Sequence, residues 1–218
     1  AGHEWYIIGT DEEADGGVTA PEGCYTLFAK KNDFGSTTFR AGADQYDSGA
    51  NIYQGSDLQQ AMERIAQDDN YFSDEDRNNI VPRDTSDAYI AGDFPAGQLL
   101  WPISASGRGA GGVTNYYVGE VSASDSSLLK FETSYWTRSN WTKTPLISGA
   151  KTYYHAITIF DNGGVGIYNL YSSDATASQV IETHAIRPAL YVKQAAVTFV
   201  GTFQVGADVI SKASVGGG

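Results

Sequence analysis

Two β-forming runs, His155-Ala-Ile-Thr-Ile-Phe160 and Val165-Gly-Ile-Tyr-Asn-Leu170, flank the turn sequence Asp161-Asn-Gly-Gly164. Asn-Gly tolerates the positive φ angles that a tight hairpin turn demands, so this spacing predicts an antiparallel hairpin. Successive side chains of a strand point to opposite sides. Ile157, Ile159, Val165 and Ile167 are therefore expected to face a core. An isolated hairpin is marginal in water, so the rest of the chain must supply more strands.

The supply is ample. Glu4-Trp-Tyr-Ile-Ile-Gly9 and Tyr25-Thr-Leu-Phe-Ala-Lys30 read as two strands joined by a polar loop. Leu99 to Ser104, Tyr116 to Val121, Tyr135 to Ser139 and Ala185 to Val192 continue the pattern, the last as one strand with Pro188 at an edge or bulge. Asn32 to Gly55 has no period and is expected to be irregular cover over one side of the core. Two helices interrupt the strands. Ser56-Asp-Leu-Gln59 has the capping-box form, and Leu58, Met62 and Ile65 share a helical face that should end near Gln67. Ser73 is the expected N-cap of a second, short helix with Asp74, Glu75 and Asp76 in its first turn, stopping before Pro82. The fold class is α+β and β-rich. Residues 1–195 are expected to form one domain, and 196–218 a terminal strand or a tail serving as linker or assembly segment.

Charge narrows the partners. With 26 acidic and 14 basic residues the chain carries −12, which repels phosphate backbones and anionic headgroups. Nucleic acid is not an expected partner. No run approaches the roughly 18 uncharged apolar residues of a membrane span, so no direct membrane insertion is expected. Residue 1 is Ala and the single methionine is Met62, which is compatible with an export signal lost ahead of Ala1. Cys24 is the only cysteine and has no partner within the chain.

No motif assembles a complete catalytic signature. Gly107-Arg-Gly-Ala-Gly-Gly112 fits a dinucleotide fingerprint, but β-formers follow it where that site needs a helix N-terminus. It reads as a loop. The acids between Asp68 and Asp76 lack the glycine and glutamate of an EF-hand and read as helix caps and solvated ends. An irregular calcium site stays open; no other cofactor is expected. His3, His155 and His184 show no zinc spacing, and Cys24 has no neighbouring base or positive charge to activate it.

The order of motifs carries more than any one of them. An early W-x-I-I strand, a G-S-x-L helix, Tyr71-Phe-Ser-Asp-Glu75, Leu100-Trp-Pro-Ile-Ser104, Tyr135-Trp-Thr-Arg-Ser139 and Ile186-Arg-Pro-Ala-Leu190 follow one another over residues 4–193. Together they resemble a family of bacterial surface proteins marked by W-W-L-R-S and then V-R-P-A-L. That family is similar to the C-type-lectin-like fold of formylglycine-generating enzymes and of the variable proteins of diversity-generating retroelements. The resemblance implies a small twisted antiparallel sheet, two peripheral helices and long irregular loops. The enzymatic branch needs cysteines late in the chain, which are missing, so its activity is not implied.

An extracellular binding domain, on a cell surface or virion, is the expected function, with a protein or carbohydrate as ligand. The expected contact residues are Ser139, Asn140 and Trp141 in a loop after Trp136, Tyr154 and Tyr168 on the outer hairpin face, and Asn169, Tyr171, Ser172 and Asp174 beyond it. Tyr and Trp give large contact area at little entropy cost, while Ser and Asn adapt their hydrogen bonds. Two alternatives stay open. One is a structural subunit of a surface appendage or virion, oligomeric through the C-terminal tail. The other is a carbohydrate-active enzyme using two carboxylates about 5 to 10 Å apart.

Overall fold

A computed structural model describes residues 2–12, 20–44, 46–83, 95–108, 115–118, 120–121, 127–143, 151–163, 165–166, 180–205 and 208–215. In chain order its strands begin with β1 (Glu4–Thr10), β2 (Cys24–Ala29) and β3 (Ser36–Thr38). After helices α1 (Asp57–Gln67) and α2 (Asp74–Asn79) come β4 (Ile80–Val81), β5 (Trp101–Pro102), β6 (Ala105–Arg108) and β7 (Asn115–Val118). Next are β8 (Tyr135–Lys143), β9 (Tyr153–Ile159), β10 (Val165–Gly166), β11 (Thr183–Ala185) and β12 (Pro188–Lys193). The last two are β13 (Val197–Val205) and β14 (Asp208–Val215).

These strands build a seven-stranded sheet, β13-β14-β1-β2-β12-β4 with β5 also on β12, a five-stranded sheet, β10-β9-β8-β11-β3, and the β6-β7 pair. The protein is α+β and β-rich, as expected. One small sheet is not what forms, however, because the strands divide between two larger ones. The two strands expected at the start of the chain are present as β1 and β2 and pair with each other, Trp5 opposite Ala29 and Thr10 opposite Tyr25. So is the hairpin: Val165 pairs with Ile159 and Gly166 with Thr158, and Gly163 turns the chain at φ +86°.

The run Ala185 to Val192 is not one strand. Its first residue ends β11 in the five-stranded sheet and pairs with Ser36; the ladder then breaks at Pro188, which lacks an N–H and opens β12 in the other sheet. The chain crosses between sheets at Ile186 and Arg187. β12 sits centrally, with Ala189 to Lys193 on β2 and its other edge on β4 and β5. Pro188 to Val192 are all buried, the uninterrupted apolar run of a strand covered on both faces.

Both helices form where their caps predict. The Ser56 side chain accepts from the Gln59 N–H, while the Gln59 amide oxygen reaches past the cap to the Gly55 N–H at 2.5 Å. Leu58, Ala61, Met62, Ile65 and Ala66 form the buried face of α1. Ser73 and Asp76 make a reciprocal capping box at the start of α2. The 32–55 stretch is irregular apart from β3 and covers the core with Phe34, Phe39, Ala50 and Tyr53. Arg40 stitches it together by donating to the carbonyls of Ile52, Gln54 and Gly55. The tail becomes a hairpin, β13–β14, whose second strand pairs with β1 from Glu4↔Ser214 to Tyr6↔Lys212.

Candidate functional site

Tyr135, Trp136, Thr137, Arg138 and Ser139 all lie in the interior. Trp136 stands opposite Thr158 but Asn140 opposite Ala156, so β8 carries two more residues than β9 across this interval. The Thr137 hydroxyl holds this bulge by donating to the Ile157 carbonyl and accepting from the Ser139 N–H. A bulge re-aims the side chains it contains. Arg138 turns inward, its backbone N–H bound to the Ile103 carbonyl, and its guanidinium meets the Glu120 carboxylate and the Pro102 carbonyl.

Glu120 is the hub of this interior network. One oxygen faces Arg138 and, at 3.6 Å, Arg83. The other accepts from the Ser104 N–H at 2.7 Å and the Ser104 hydroxyl at 3.0 Å. Arg83 lies over the Trp101 ring at 4.3 Å and donates to the Tyr191 hydroxyl. Two guanidinium groups thus share one carboxylate in the centre of a protein whose net charge is −12. Glu120 is committed to these partners and to Ser104.

Beyond the bulge β8 continues to Lys143, with Trp141 opposite His155, Thr142 opposite Tyr154 and Lys143 opposite Tyr153. The loop expected after Trp136 is therefore a strand. Ser139 is corrected from a contact residue to an interior one: it is fully buried, and its hydroxyl accepts from the Ala105 N–H at 2.9 Å. Asn140 is half-buried and Trp141 lies one position further along the ladder. Tyr154 is half-buried against the core. Tyr168, Asn169, Tyr171, Ser172 and Asp174 lie outside the described residues, as does Ile167.

The outward face predicted for the hairpin is also corrected. His155, Ala156, Ile157, Thr158 and Ile159 are all buried, so both faces of β9 are covered over that length. Surface remains only at its start. There Tyr153 packs on Tyr46 with ring centroids 4.9 Å apart and on His155 at 5.9 Å, and the Lys151 ammonium stands 4.6 Å from the Tyr46 ring. Sequence reading missed Tyr46, Lys151 and Tyr153. Tyr153 was signalled by its place beside Tyr154 in one aromatic run; Tyr46 had no local signal.

Other candidates resolve into structure. Asp68 folds back on the Asn70 N–H and amide, Asp69 and Asp74 pair with Arg77, and Asp76 caps α2. Among the described residues no group of three His, Cys, Asp or Glu side chains could hold a metal ion. Cys24 is buried, and burial pushes its thiol pKa up, with Asp11 adding to the rise. The glycine motif begins on β6, and the next described element is β7, a strand. No described helix is long and apolar enough to cross a membrane. In comparisons with known proteins, no family model, no curated protein and no solved structure matches this chain.

Proposed function

We propose that the chain is a ligand-binding domain of the C-type-lectin-like class, displayed outside the cell on a cell surface or virion, which recognises a protein or carbohydrate and performs no catalysis. The division of β8 carries this reading. Its first half is spent wholly on the interior, and the second runs to an end where Tyr46, Tyr153 and Tyr154 keep part of their surface. Tyr135 to Ser139 and Ile186 to Leu190, on which the family resemblance rests, are both buried framework. Framework that consumes its own motifs leaves recognition to the residues beyond them.

The contact set is Asn140, Trp141 and Tyr154, joined by Tyr46 and Tyr153, with Tyr168, Asn169, Tyr171, Ser172 and Asp174 from further along the chain. These are stiff aromatics interleaved with adaptable amides and hydroxyls, the composition of antibody-like contact surfaces. In the retroelement proteins that the chain resembles, the equivalent segment carries the binding variability.

The test is a screen of the purified chain on a glycan array and against a panel of purified extracellular protein domains. A specific ligand is expected. Trp141→Ala and Tyr171→Ala should each then weaken it by at least about 2 kcal/mol, roughly thirtyfold. Binding within about twofold of the parent in both variants would place the contact surface elsewhere.

A further inference from the structure

We infer that the aromatic surface at the start of β9 takes a negatively charged sugar, one that carries a carboxylate or sulfate group. The inference rests on the ligand-binding reading and narrows its partner to a chemical class. Charge along the chain gives the first argument. Between Glu132 and Asp161 there is no acidic residue, yet Arg138, Lys143 and Lys151 all fall there. In a chain of 26 acidic and 14 basic residues this is a cationic stretch within an anionic protein. Arg138 is spent on Glu120 inside the fold. The two lysines remain, and both stand at one end of the β8–β9 ladder. Lys143 is the ladder partner of Tyr153, and Trp141 that of His155; directly opposed residues of an antiparallel pair share a face. Lys151 precedes Tyr153 in the chain, and its ammonium reaches the ring of Tyr46, which packs on Tyr153.

Lys151 is exposed, and among the described residues no carboxylate pairs with its ammonium. The acids nearest to Tyr46 in sequence, Asp44 and Asp47, turn back on their own backbone and accept from the N–H groups of Tyr46 and Gly49. The Tyr46 ring therefore holds the ammonium in place without neutralising it. The hydroxyls of Tyr46 and Tyr153 lie side by side, 3.5 Å apart. An anion meets an uncompensated cation here, while the net charge of −12 repels it elsewhere. Two features make a sugar the occupant. The half-buried tyrosines offer ring faces, whose negative potential favours the C–H face of a sugar ring and directs the acid group to the lysine. Their hydroxyls can exchange hydrogen bonds with those of the sugar. An acidic protein would press its own charge against this anionic surface over a standard interface of about 800 Å² per partner. A sugar brings its charge to the lysine alone.

Calorimetric titration of the full chain with oligogalacturonate and with dextran sulfate tests this, beside methyl-esterified oligogalacturonate and plain dextran as uncharged counterparts. At least one charged polymer should bind, and its uncharged counterpart at least about tenfold more weakly. Lys151→Gln should weaken that binding at least about tenfold, whereas Lys151→Arg, which keeps a cation over the Tyr46 ring, should stay within about threefold. Tyr153→Ala should also cost at least about tenfold. Circular dichroism of each variant establishes that the fold is kept. Failure of both charged polymers to bind overturns the inference, as does equal binding of an uncharged counterpart or indifference to Lys151→Gln in a folded protein. Polyglutamate bound as tightly, with the same dependence on Lys151, overturns it in favour of an acidic protein. A chain that ignores both acidic polymers but binds a neutral glycan or a protein domain, and loses that binding in Trp141→Ala, sinks this inference alone and leaves the ligand-binding reading standing.

Discussion

The guanidinium of Arg187 donates to the hydroxyl of Tyr135 at 3.1 Å, joining the crossover between the two sheets to the first residue of β8. Arg187 also donates to the carbonyls of Ala29, Leu128 and Leu129, and lies 3.9 Å from the Phe28 ring centre and 4.4 Å from that of Phe131. Among the described residues no carboxylate reaches it. Burial pushes the guanidinium pKa down, and it pushes the Tyr135 phenol up to about 12 despite the cation beside it. Arg187→Met keeps much of the volume but takes the guanidinium donor from the buried Ala29 and Leu128 carbonyls, while the Leu129 carbonyl keeps the Tyr135 hydroxyl. It should cost about 3 kcal/mol or more, and Tyr135→Phe about 1 to 2 kcal/mol, in urea denaturation. A loss below about 1 kcal/mol for Arg187→Met would show that the carbonyls find other donors.

Glu120 stands between two buried cations, so removing its charge is predicted to be worse than removing one of theirs. Glu120→Gln takes from Arg138 and Arg83 the carboxylate charge they share and should cost about 3 to 5 kcal/mol. Arg83→Met leaves Glu120 with Arg138 and both Ser104 donors and should cost less. Matched denaturation curves give the order; the reverse order would mean that Arg83 acts mainly by its stacking on Trp101.

His184 sets an acid limit. Its ring meets Trp136 edge-on at 4.5 Å, and burial lowers its pKa from the ordinary 6.5 although Glu182 acts to raise it. The folded protein therefore holds the imidazole neutral more readily than the unfolded chain does, and the unfolded chain binds the extra proton first. Its contribution is full above pH 6.5 and declines as pH falls toward and through the folded value. The urea midpoint of the parent should fall more steeply than that of His184→Gln below that pH. Parallel curves for the two proteins would show that another group carries the acid sensitivity.

What could be read in the sequence is what is decided locally. Ser56 and Ser73 cap helices through partners three residues away, and Asn162-Gly163 turns a hairpin whose strands adjoin it. Ser139 was misplaced for a related reason: a small polar residue before Asn-Trp reads as loop, and only the distant Ala105 N–H reveals its interior role. Tyr46 could not be found at all, because its partner Tyr153 lies 107 residues away and the segment around Tyr46 has no period. The split of Ala185–Val192 was written in Pro188, yet which sheet each half joins depends on Gly35 and Phe28, far from it in sequence. Charge was the least legible. A net of −12 gives no hint that Arg83, Arg138 and Arg187 are each at most 1% exposed.

The bulge at Thr137–Ser139 works on β8 like an indexing pin. Arg138 is held by Glu120 and Pro102 and Ser139 by Ala105, so the strand's alignment with β9 is settled before Asn140 is reached. The residues from Asn140 to Lys143 inherit their positions and do not have to choose them. A strand set this way can change its letters from Asn140 onward while the ruler beneath stays still, because its alignment with β9 does not have to be found again.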